Sequence, residues 1–227
     1  FINLTPERVD LEIQNALGQI LEFFAVDRCG LVRISPEETS WRVTHVAYAS
    51  EVSPVPEKTD LPTTMFPWVY EKLTKQHEVV SFKTRDELPH EAAIDRQTYE
   101  ELEIRSALNI PISCGVAVDY IISINTVRKE FAWPEDYIPR LRILGEILVN
   151  ALQLSQTRQQ LENRLRFEGL ISDLSASFVN ISPEEVDGEI NKWIQCITEF
   201  FDVDRCTIGL FSEDGTQLMS AFEYHLE

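Results

Sequence analysis

The chain has 227 residues, 44% of them apolar, and carries a formal net charge of −18 at neutral pH. This length accommodates one or two domains with real hydrophobic cores. The charge argues against nucleic acid or an anionic membrane as a direct partner, because like charges repel each other. No apolar stretch approaches the roughly 18 residues that cross a bilayer, and no signal segment is visible. Since the chain starts at Phe1, we expect a cytoplasmic part of a longer protein.

The four cysteines, Cys29, Cys114, Cys196 and Cys206, are scattered along the chain. They form no C-x-x-C pair and have no histidine at zinc-ligand spacing, which argues against a metal site. Small buried thiols in a reducing compartment are the simplest interpretation. Because Cys29 and Cys206 occupy equivalent positions of a sequence repeat, a paired redox site is the alternative to two core positions.

The first predicted elements are a helix and two strands. Thr5 is placed as N-cap and Pro6 at the first helical position, with an acid in the first turn. Apolar residues then recur at helical spacing and predict one buried stripe: Val9, Ile13, Leu17, Ile20, Leu21 and Phe24. Residues 29–34 and 41–49 are predicted strands joined by a hairpin turn.

Residues 50–105, which we call the lid, form a long connection after the second strand. Four prolines at positions 54, 56, 62 and 67 exclude a central strand here, because proline supplies no backbone donor. Within the lid we predict a short helix at 65–76, a short strand at 78–82 and some helix at 85–104. A connection of this length inside a compact domain is more often functional than idle.

The two most apolar predicted strands, 106–113 and 116–127, follow the lid and are expected at the centre of a sheet. They are joined at Cys114 and Gly115. The sequence Trp-Pro-Glu-Asp at 133–136 then opens a helix with proline and acids in its first turn.

This last helix shows no convincing stop before about residue 180, although Gly169 could interrupt it. Its apolar positions follow the 3-4 spacing of a coiled-coil seam, with Arg158 as the polar exception: Leu144, Ile147, Ala151, Leu154, Leu161 and Leu165. A narrow seam on a long helix is usually buried against a second copy of itself. We therefore expect a parallel homodimer through residues 134–177.

The opening of the chain returns near its end. Residues 1–7 (FINLTPE) and 23–29 (FFAVDRC) match 178–184 (FVNISPE) and 200–206 (FFDVDRC), both at an offset of 177. A repeat of this length indicates tandem whole domains. Beyond the hairpin turn the best match shifts to an offset of 176, which aligns Tyr48 with Tyr224.

The second copy opens with Ser182 and Glu185 at the spacing of a capping box. A helix and two strands without the central strands of their sheet leave an apolar face bare. We therefore expect residues 178–227 to pack on a neighbouring chain or to be poorly ordered.

The order of these elements resembles that of the GAF domain, a sensory relative of the PAS fold. The resemblance is carried by LNIPI at 108–112, IISI at 121–124, and WPE at 133–135 followed by RLRILGEILVNAL at 140–152. These segments are similar to the last strands and closing helix of GAF modules in bacterial multi-sensor histidine kinases and sigma-54-dependent activators. The resemblance implies an α+β fold, with an antiparallel sheet of about six strands flanked by helices.

The resemblance also implies an organisation and a function. Residues 1–152 would form a GAF sensory domain, 153–177 a coiled-coil signalling helix, and 178–227 the first part of a second GAF domain. Such a chain would be a non-catalytic module of bacterial signal transduction. It would bind a small molecule, or relay a conformational signal through a dimeric helix to an output domain. The alternative is a dimerisation spacer that binds no ligand.

In GAF domains the lid closes over a small-molecule pocket on one face of the sheet. The resemblance places these candidate ligand-binding residues around it: Tyr48, Phe66, Trp68, Val69, Phe82, Tyr99, Ile110 and Asn125. The alternative is that the aromatic residues simply fill the core beneath the lid.

The sequence identifies no cofactor for this pocket. The Asn-Lys…Phe…Asp-Glu signature of cyclic-nucleotide-binding members cannot be placed, and the lid has no cysteine to hold a bilin. Asp27, Arg28 and Cys29 are adjacent, so their alternating side chains are poorly arranged to chelate non-haem iron.

No catalytic motif is found. His90-Glu91 is not a zinc-peptidase motif, because Ile94 stands where the second histidine is required. The chain has no G-x-S-x-G, P-loop or dinucleotide fingerprint. Some free-standing GAF proteins reduce methionine sulfoxide with paired cysteines, but Cys29 and Cys114 lie on predicted core strands. We therefore predict that this chain is not an enzyme.

Overall fold

The computed structural model describes residues 5–35, 37–52, 54, 60–113, 115, 117–179 and 181–226. The chain divides into two compact units, Phe1–Gln159 and Gln160–Glu227. Within the described residues, no helix combines the length and the apolar character needed to cross a lipid bilayer.

The first unit is built on a six-stranded antiparallel sheet, in the order β3-β2-β1-β6-β5-β4. Its strands are β1 Arg28–Ile34, β2 Ser40–Tyr48, β3 Asp60–Pro62, β4 Val80–Phe82, β5 Ser106–Ile112 and β6 Tyr120–Thr126. The predicted α+β fold with an antiparallel sheet of about six strands is confirmed. Cys114, predicted at the β5–β6 connection, lies outside the described residues.

The helices of the first unit lie on both faces of this sheet. They are α1 Pro6–Phe24, α2 Pro67–Tyr70, α3 Ala93–Glu101 and the start of α4 Ile138–Ser177. A π-helical turn, Glu71–Lys75, continues α2. Short 3₁₀ turns occur at Thr63–Met65, Arg85–Glu87, His90–Ala92 and Glu135–Tyr137.

Two hydrophobic cores sandwich the sheet, because successive strand residues point to opposite faces. The core that we call the helix-side core joins α1 and α4 to the sheet through residues such as Leu17, Ile122 and Leu148. The core that we call the lid-side core lies between the sheet and the lid. β5 is therefore buried along its whole length, which explains its almost continuous apolar sequence.

The sheet accommodates two prolines without losing a bond between β4 and β5. Pro62 ends the edge strand β3. Pro111 lies in β5 opposite Ile121 of β6, and β4 pairs only with residues 107–109. Because β4 does not extend as far as Pro111, the missing N–H of this proline removes no hydrogen bond between β4 and β5.

The repeat is visible in the structure of the second unit. After α4 this unit contains α5 Val186–Phe201 and the antiparallel pair β7 Arg205–Phe211 and β8 Leu218–His225. Helices α1 and α5 both end at a left-handed residue, Ala25 with φ 48° and Asp202 with φ 51°. Both hairpins also shift register at the same place, between residues 31 and 32 and between 208 and 209.

The predicted change of offset beyond the hairpin turn is wrong. Arg205 pairs with His225 as Arg28 pairs with Tyr48, so the offset of 177 holds on both strands. Tyr224 therefore corresponds to Ala47. The offset of 176 was inferred from one identical residue, the tyrosine at 48 and 224. Strand register is set instead by backbone pairing and by the face to which each side chain points.

One predicted helix start is confirmed in position, and the other needs correction. Thr5 takes the N-cap position of α1, but its side chain makes no capping hydrogen bond. The N–H of Ser182 donates to Glu185 Oε2 at 3.3 Å, yet α5 begins only at Val186. Half of the capping box is therefore present, but it stabilises the turn before the helix rather than the first helical turn.

Helix α4 runs unbroken for 40 residues, and Gly169 does not interrupt it. The predicted seam is only partly exposed, however. Ala151 is buried in the helix-side core and Leu144 packs against that core, so both contact the unit's own sheet. Ile147 and Leu154 in the first unit, and Leu161 and Leu165 in the second, are about half exposed.

The hairpin of the second unit exposes apolar side chains on both of its faces. Leu210, Phe211, Leu218 and Met219 are all more than half exposed, and Phe211 reaches 72%. Nothing within the described residues covers these side chains. The expectation that this segment packs on another chain stays a prediction.

Candidate functional site: the lid and the cleft at the end of the sheet

Aromatic side chains fill the space between the lid and the sheet. Phe66 stacks on Trp41 of β2 with ring centroids 5.5 Å apart, and its other neighbour is Tyr99 of α3 at 5.0 Å. Tyr99 in turn meets Phe82 of β4 edge-on at 4.9 Å. Offset and edge-to-face contacts of this kind are favourable beyond the area that they bury. The lid is thus anchored across the sheet from β2 to β4.

A buried carboxylate joins the two helices of the lid. Asp95 of α3 accepts hydrogen bonds from the backbone N–H groups of Trp68 at 3.2 Å and Val69 at 2.9 Å, so it caps the start of α2. Burial raises the pKa of Asp95 above its ordinary value, although these hydrogen bonds oppose the rise. Thr98, one turn along, donates to the carbonyl of Met65 at 2.7 Å. Segment 65–69 is therefore fixed to α3.

Strand β5 contacts the lid on one face and α4 on the other. Asn109 Nδ2 donates to the Tyr99 hydroxyl at 3.2 Å on the lid side. On the opposite face Ile112 packs so closely on Gly145 of α4 that a Cβ there would lie 2.6 Å from its Cδ1. Strand β5 therefore connects Tyr99 of the lid to α4 by direct contacts on its two faces.

The predicted ligand-binding residues do not all lie together. Four of them, Phe66, Val69, Phe82 and Tyr99, are buried in the lid-side core. Tyr48 and Trp68 are partly buried against the same core. Ile110 is a correction: it lies in the helix-side core, because residues 108, 110 and 112 of β5 point away from the lid.

The remaining predicted residue, Asn125, belongs to a polar row across the end of the sheet. Arg28 of β1 pairs with Tyr48 of β2 on one side and with Asn125 of β6 on the other. Asn125 Oδ1 is buried and accepts no hydrogen bond within the described residues. Arg28 is only 6% exposed, and its Nη1 donates to the carbonyl of Leu102 at 3.3 Å.

A cleft of about 690 Å³ opens at this end of the sheet. Its charged lining consists of four arginines and five carboxylates: Arg28, Arg85, Arg105, Arg128, Glu51, Asp86, Glu100, Glu103 and Glu130. The volume suits a small molecule. The sequence does not predict this cleft, because its residues come from separate segments that only the fold brings together.

The charged side chains of the cleft differ in their exposure to solvent. Arg28 is buried and Arg85 half-buried, whereas all five carboxylates are exposed. Arg85 Nη1 donates to the carbonyl of Ile104 at 3.2 Å, which is a neutral acceptor. Burial lowers the pKa of the Arg28 guanidinium, and the nearby acidic groups of Tyr48, Glu103 and Asp27 offset this only in part. Only Arg28 and Arg85 are thus withdrawn from solvent, whereas Arg105 and Arg128 are exposed like the carboxylates.

Asp27 is committed to a structural role beside the cleft. Its buried carboxylate accepts the backbone N–H of Val127 at 2.8 Å, that of Arg128 at 3.0 Å, and Arg128 Nε at 2.6 Å. Burial alone would raise the pKa of Asp27, but these hydrogen bonds and the guanidinium outweigh it and hold the pKa below its ordinary value. The end of β6 is thereby tied to the start of β1.

This arrangement also bears on iron and thiol chemistry. Asp27 is occupied by Arg128, while Cys29 is fully buried in the helix-side core, so the two side chains do not converge on one site. Burial raises the pKa of the Cys29 thiol, which keeps it protonated. Cys29 is therefore a core residue and not a reactive thiolate.

Comparison with known proteins places the fold. No family model matches the sequence, and no curated protein matches it. Among solved structures, the Stigmatella aurantiaca phytochrome photosensory core module is 13% identical with a TM-score of 0.63, over 92% of this chain and 44% of that one. A red/green cyanobacteriochrome in its red-light-absorbing state is 16% identical with a TM-score of 0.55, over 67% of this chain and 97% of that one.

A third structure, the blue-light-absorbing form of the Thermosynechococcus elongatus PixJ GAF domain, has a TM-score of 0.54 at 13% identity, over 74% of this chain and 98% of that one. At such low identity the similarity shows the fold alone. The fold of residues 5–159, as far as they are described, is that of GAF domains.

Proposed function

We propose that this chain is a non-catalytic sensory module of a bacterial signal-transduction protein, acting in the cytoplasm. A small molecule that enters the cleft would shift the lid, and strand β5 would pass the shift to α4. The observation that carries this proposal is the double contact of β5, which meets Tyr99 of the lid through Asn109 and Gly145 of α4 through Ile112. Ligand binding then biases α4 by its differential affinity for two arrangements.

The protein that would contain this module is proposed to be a multi-sensor histidine kinase or a sigma-54-dependent activator. Support comes from the sequence resemblance of the last strands and the closing helix, together with a fold shared with photosensory modules. The output domain would receive the signal as a change in rotation or register of α4.

Single-residue insertions after Ser155 of α4 test this relay in the parent protein. One extra residue turns the following part of the helix by about 100°, whereas seven extra residues restore nearly the same face after two turns. We expect the single insertion to uncouple output from the input signal and the seven-residue insertion to retain coupling. Equal output from the wild type and both insertion variants would exclude a helical relay.

One observation favours the alternative, a dimerisation spacer without ligand. The lid-side core is already occupied by Phe66, Phe82 and Tyr99, so a ligand has to bind at the cleft rather than beneath the centre of the lid. Native mass spectrometry of the purified chain separates the two functions, because a spacer retains no small molecule.

We also propose that the chain forms a parallel homodimer through residues 134–177. The support is the exposure of apolar seam residues on α4, namely Ile147, Leu154, Leu161 and Leu165, while residues 155–160 and 162–164 between them are polar. Ala151 and Leu144 contribute to the unit's own core instead. The seam of the proposed dimer is therefore continuous only beyond the closing turns of the first unit.

Leu161→Glu is expected to raise the dimer dissociation constant at least 100-fold, because it would bury an unpaired charge in the seam. The matched control is Gln159→Glu, which adds the same charge about 200° away around the helix. Sedimentation equilibrium measures both. A monomeric wild type, or equal dissociation constants for the two variants, would contradict the proposed interface.

A further inference from the structure

We propose that Trp133 is a positioning residue that couples the lid to the start of α4 through strand β4. The proposal rests on the sensory function proposed above, and it adds a second connection between the lid and α4 to the one through β5. Its basis is a hydrogen bond in which Trp133 Nε1 donates to the carbonyl of Phe82 at 3.1 Å. Trp133 directly precedes Pro134 and the 3₁₀ turn that leads into α4.

Strand β4 lies within the lid segment and also forms an edge of the sheet. It has three residues, Val80–Phe82, and pairs with β5. A short edge strand is held by fewer hydrogen bonds than a strand paired on both sides, so it is displaced more easily. The Phe82 side chain is 2% exposed and meets the ring of Tyr99 edge-on at 4.9 Å. This ring contact links Tyr99 of α3 directly to β4.

A second hydrogen-bonded link joins the same two segments. Ser106, the first residue of β5, is fully buried, and its hydroxyl donates to the carbonyl of Lys83. The same hydroxyl accepts the backbone N–H of Phe131 at 2.8 Å. Lys83 directly follows β4, so residues 82–83 are tied at two points to residues 131–133. Two bonds fix orientation as well as position, and the segment before α4 therefore follows β4.

This segment is packed against the helix-side core. The Trp133 ring is half-buried against that core, and its centroid lies 4.8 Å from that of Phe131. Tyr137, the last residue of the 3₁₀ turn, meets Phe24 of α1 edge-on at 5.4 Å. Closely packed rings leave little free volume, so the segment is displaced as a unit rather than deformed. Displacement of Trp133 is therefore passed to the first turn of α4.

Helix α4 is then supported at two places within the first unit. Trp133 and β4 hold its start, while Ile112 of β5 packs on Gly145. Gly145 lies about 10 Å along the helix axis from the first residue, Ile138, at 1.5 Å per residue. Because β4 and β5 are different strands, the lid can move one support relative to the other. Such a relative shift tilts α4.

Hydrogen exchange of the 227-residue chain, measured by mass spectrometry, tests the coupling. Thr98→Val loosens the lid by removing the hydrogen bond to the Met65 carbonyl, and Asp95→Ala does so by removing the cap of α2. The readout is the exchange rate of residues 138–150 of α4 relative to residues 9–21 of α1, because global unfolding accelerates both equally. We expect either lid substitution to raise this relative rate about fivefold.

Trp133→Phe removes the indole donor but keeps an aromatic ring at this position. In this background we expect the response to either lid substitution to fall below about twofold. The matched control is Trp193→Phe in the second unit, which removes an indole N–H that donates to Ser177 Oγ at 2.7 Å. It should leave the response at about fivefold. A purely structural tryptophan would change the exchange rate itself but not the response to the lid.

Thermal melts followed by circular dichroism establish that the variants are folded. If Trp133→Phe does not fold, Ser106→Ala, which breaks the second link, takes its place in the same comparison. An undiminished response in the folded variant would overturn the role of Trp133, while coupling of the lid to α4 through β5 would survive. If neither lid substitution changes the relative exchange of α4 in the otherwise wild-type chain, the relay of the proposed sensory function fails as well.

Discussion

Replacing Asp27 by alanine is expected to lower the free energy of unfolding by about 3 kcal/mol, since it breaks a buried ion pair and leaves two backbone N–H groups without an acceptor. Asp27 is 1% exposed and receives three hydrogen bonds from Val127 and Arg128. The estimate lies at the lower end for such pairs because Arg128 itself is half exposed and can be hydrated. Urea denaturation at pH 7 measures the change.

The matched control for this substitution is Asp60→Ala. Asp60 also pairs with an arginine, Arg42, through two hydrogen bonds of 2.7 and 2.6 Å, but both side chains are about half exposed. Exposed pairs contribute little, because water and salt screen their attraction, so the control should lose far less stability. Equal losses for Asp27→Ala and Asp60→Ala would show that the Asp27 cluster is not a special anchor.

The effect of Asp27→Ala should also depend on pH. Because the folded state holds the pKa of Asp27 below its ordinary value, its contribution is fully present above about pH 4. The contribution is lost as pH falls through the lowered pKa, when the carboxylate becomes protonated in the folded state as well. The difference between wild type and variant should therefore shrink below pH 4. A difference that grows on acidification would contradict the assignment.

Gly145→Val is expected to destabilise the first unit by about 2–3 kcal/mol, because the added side chain overpacks a closed core. A Cβ at this position would lie 2.6 Å from Cδ1 of both Ile112 and Ile122, and these two isoleucines are fully buried. Valine adds two further carbons, and its slightly better helix propensity than glycine recovers only a few tenths of a kcal/mol. Urea denaturation monitored by circular dichroism measures the loss.

Gly18→Ala on α1 is the control for backbone effects. A Cβ at position 18 meets no atom within 4 Å, so alanine should stabilise the helix by about 0.5–1 kcal/mol. The two glycine substitutions are thus expected to have opposite signs within one unit. If Gly145→Val stabilised the protein as Gly18→Ala should, α4 would not pack closely on β5 and β6.

Much of the fold could be predicted because local signals and tertiary structure agree. The apolar stripe of α1, the apolar strands β5 and β6 and the unbroken α4 each follow from periodicity and the placement of proline, although the centre of the sheet is formed by β1 and β6 rather than by β5 and β6. The errors arose where one residue of register decides the result. Ile110 was assigned to the lid face although its neighbours Asn109 and Pro111 are the residues of β5 that point there, and Tyr224 was aligned with Tyr48 although strand pairing aligns it with Ala47.

The cleft could not be predicted from the sequence, because its lining residues are far apart along the chain. Arg28 and Arg85 begin two different elements, whereas Arg105 precedes β5 and Arg128 follows β6, and nothing in their local spacing brings them together. One signal was present: Arg28 begins a strand whose other residues are nearly all apolar, and it pairs with the polar Asn125 on the neighbouring strand. A charged residue inside such a strand indicates either a structural ion pair or a binding site.

Pro111 has a consequence for how this protein behaves at high concentration. Where β4 stops, the outer half of β5 would be an open sheet edge, and such edges recruit strands from other molecules and seed aggregates. A proline there cannot donate to an incoming strand, and the π-helical turn Glu71–Lys75 lies against β5. The β7–β8 hairpin carries no proline, so aggregation through sheet edges should begin at that hairpin rather than at the sheet of the first unit.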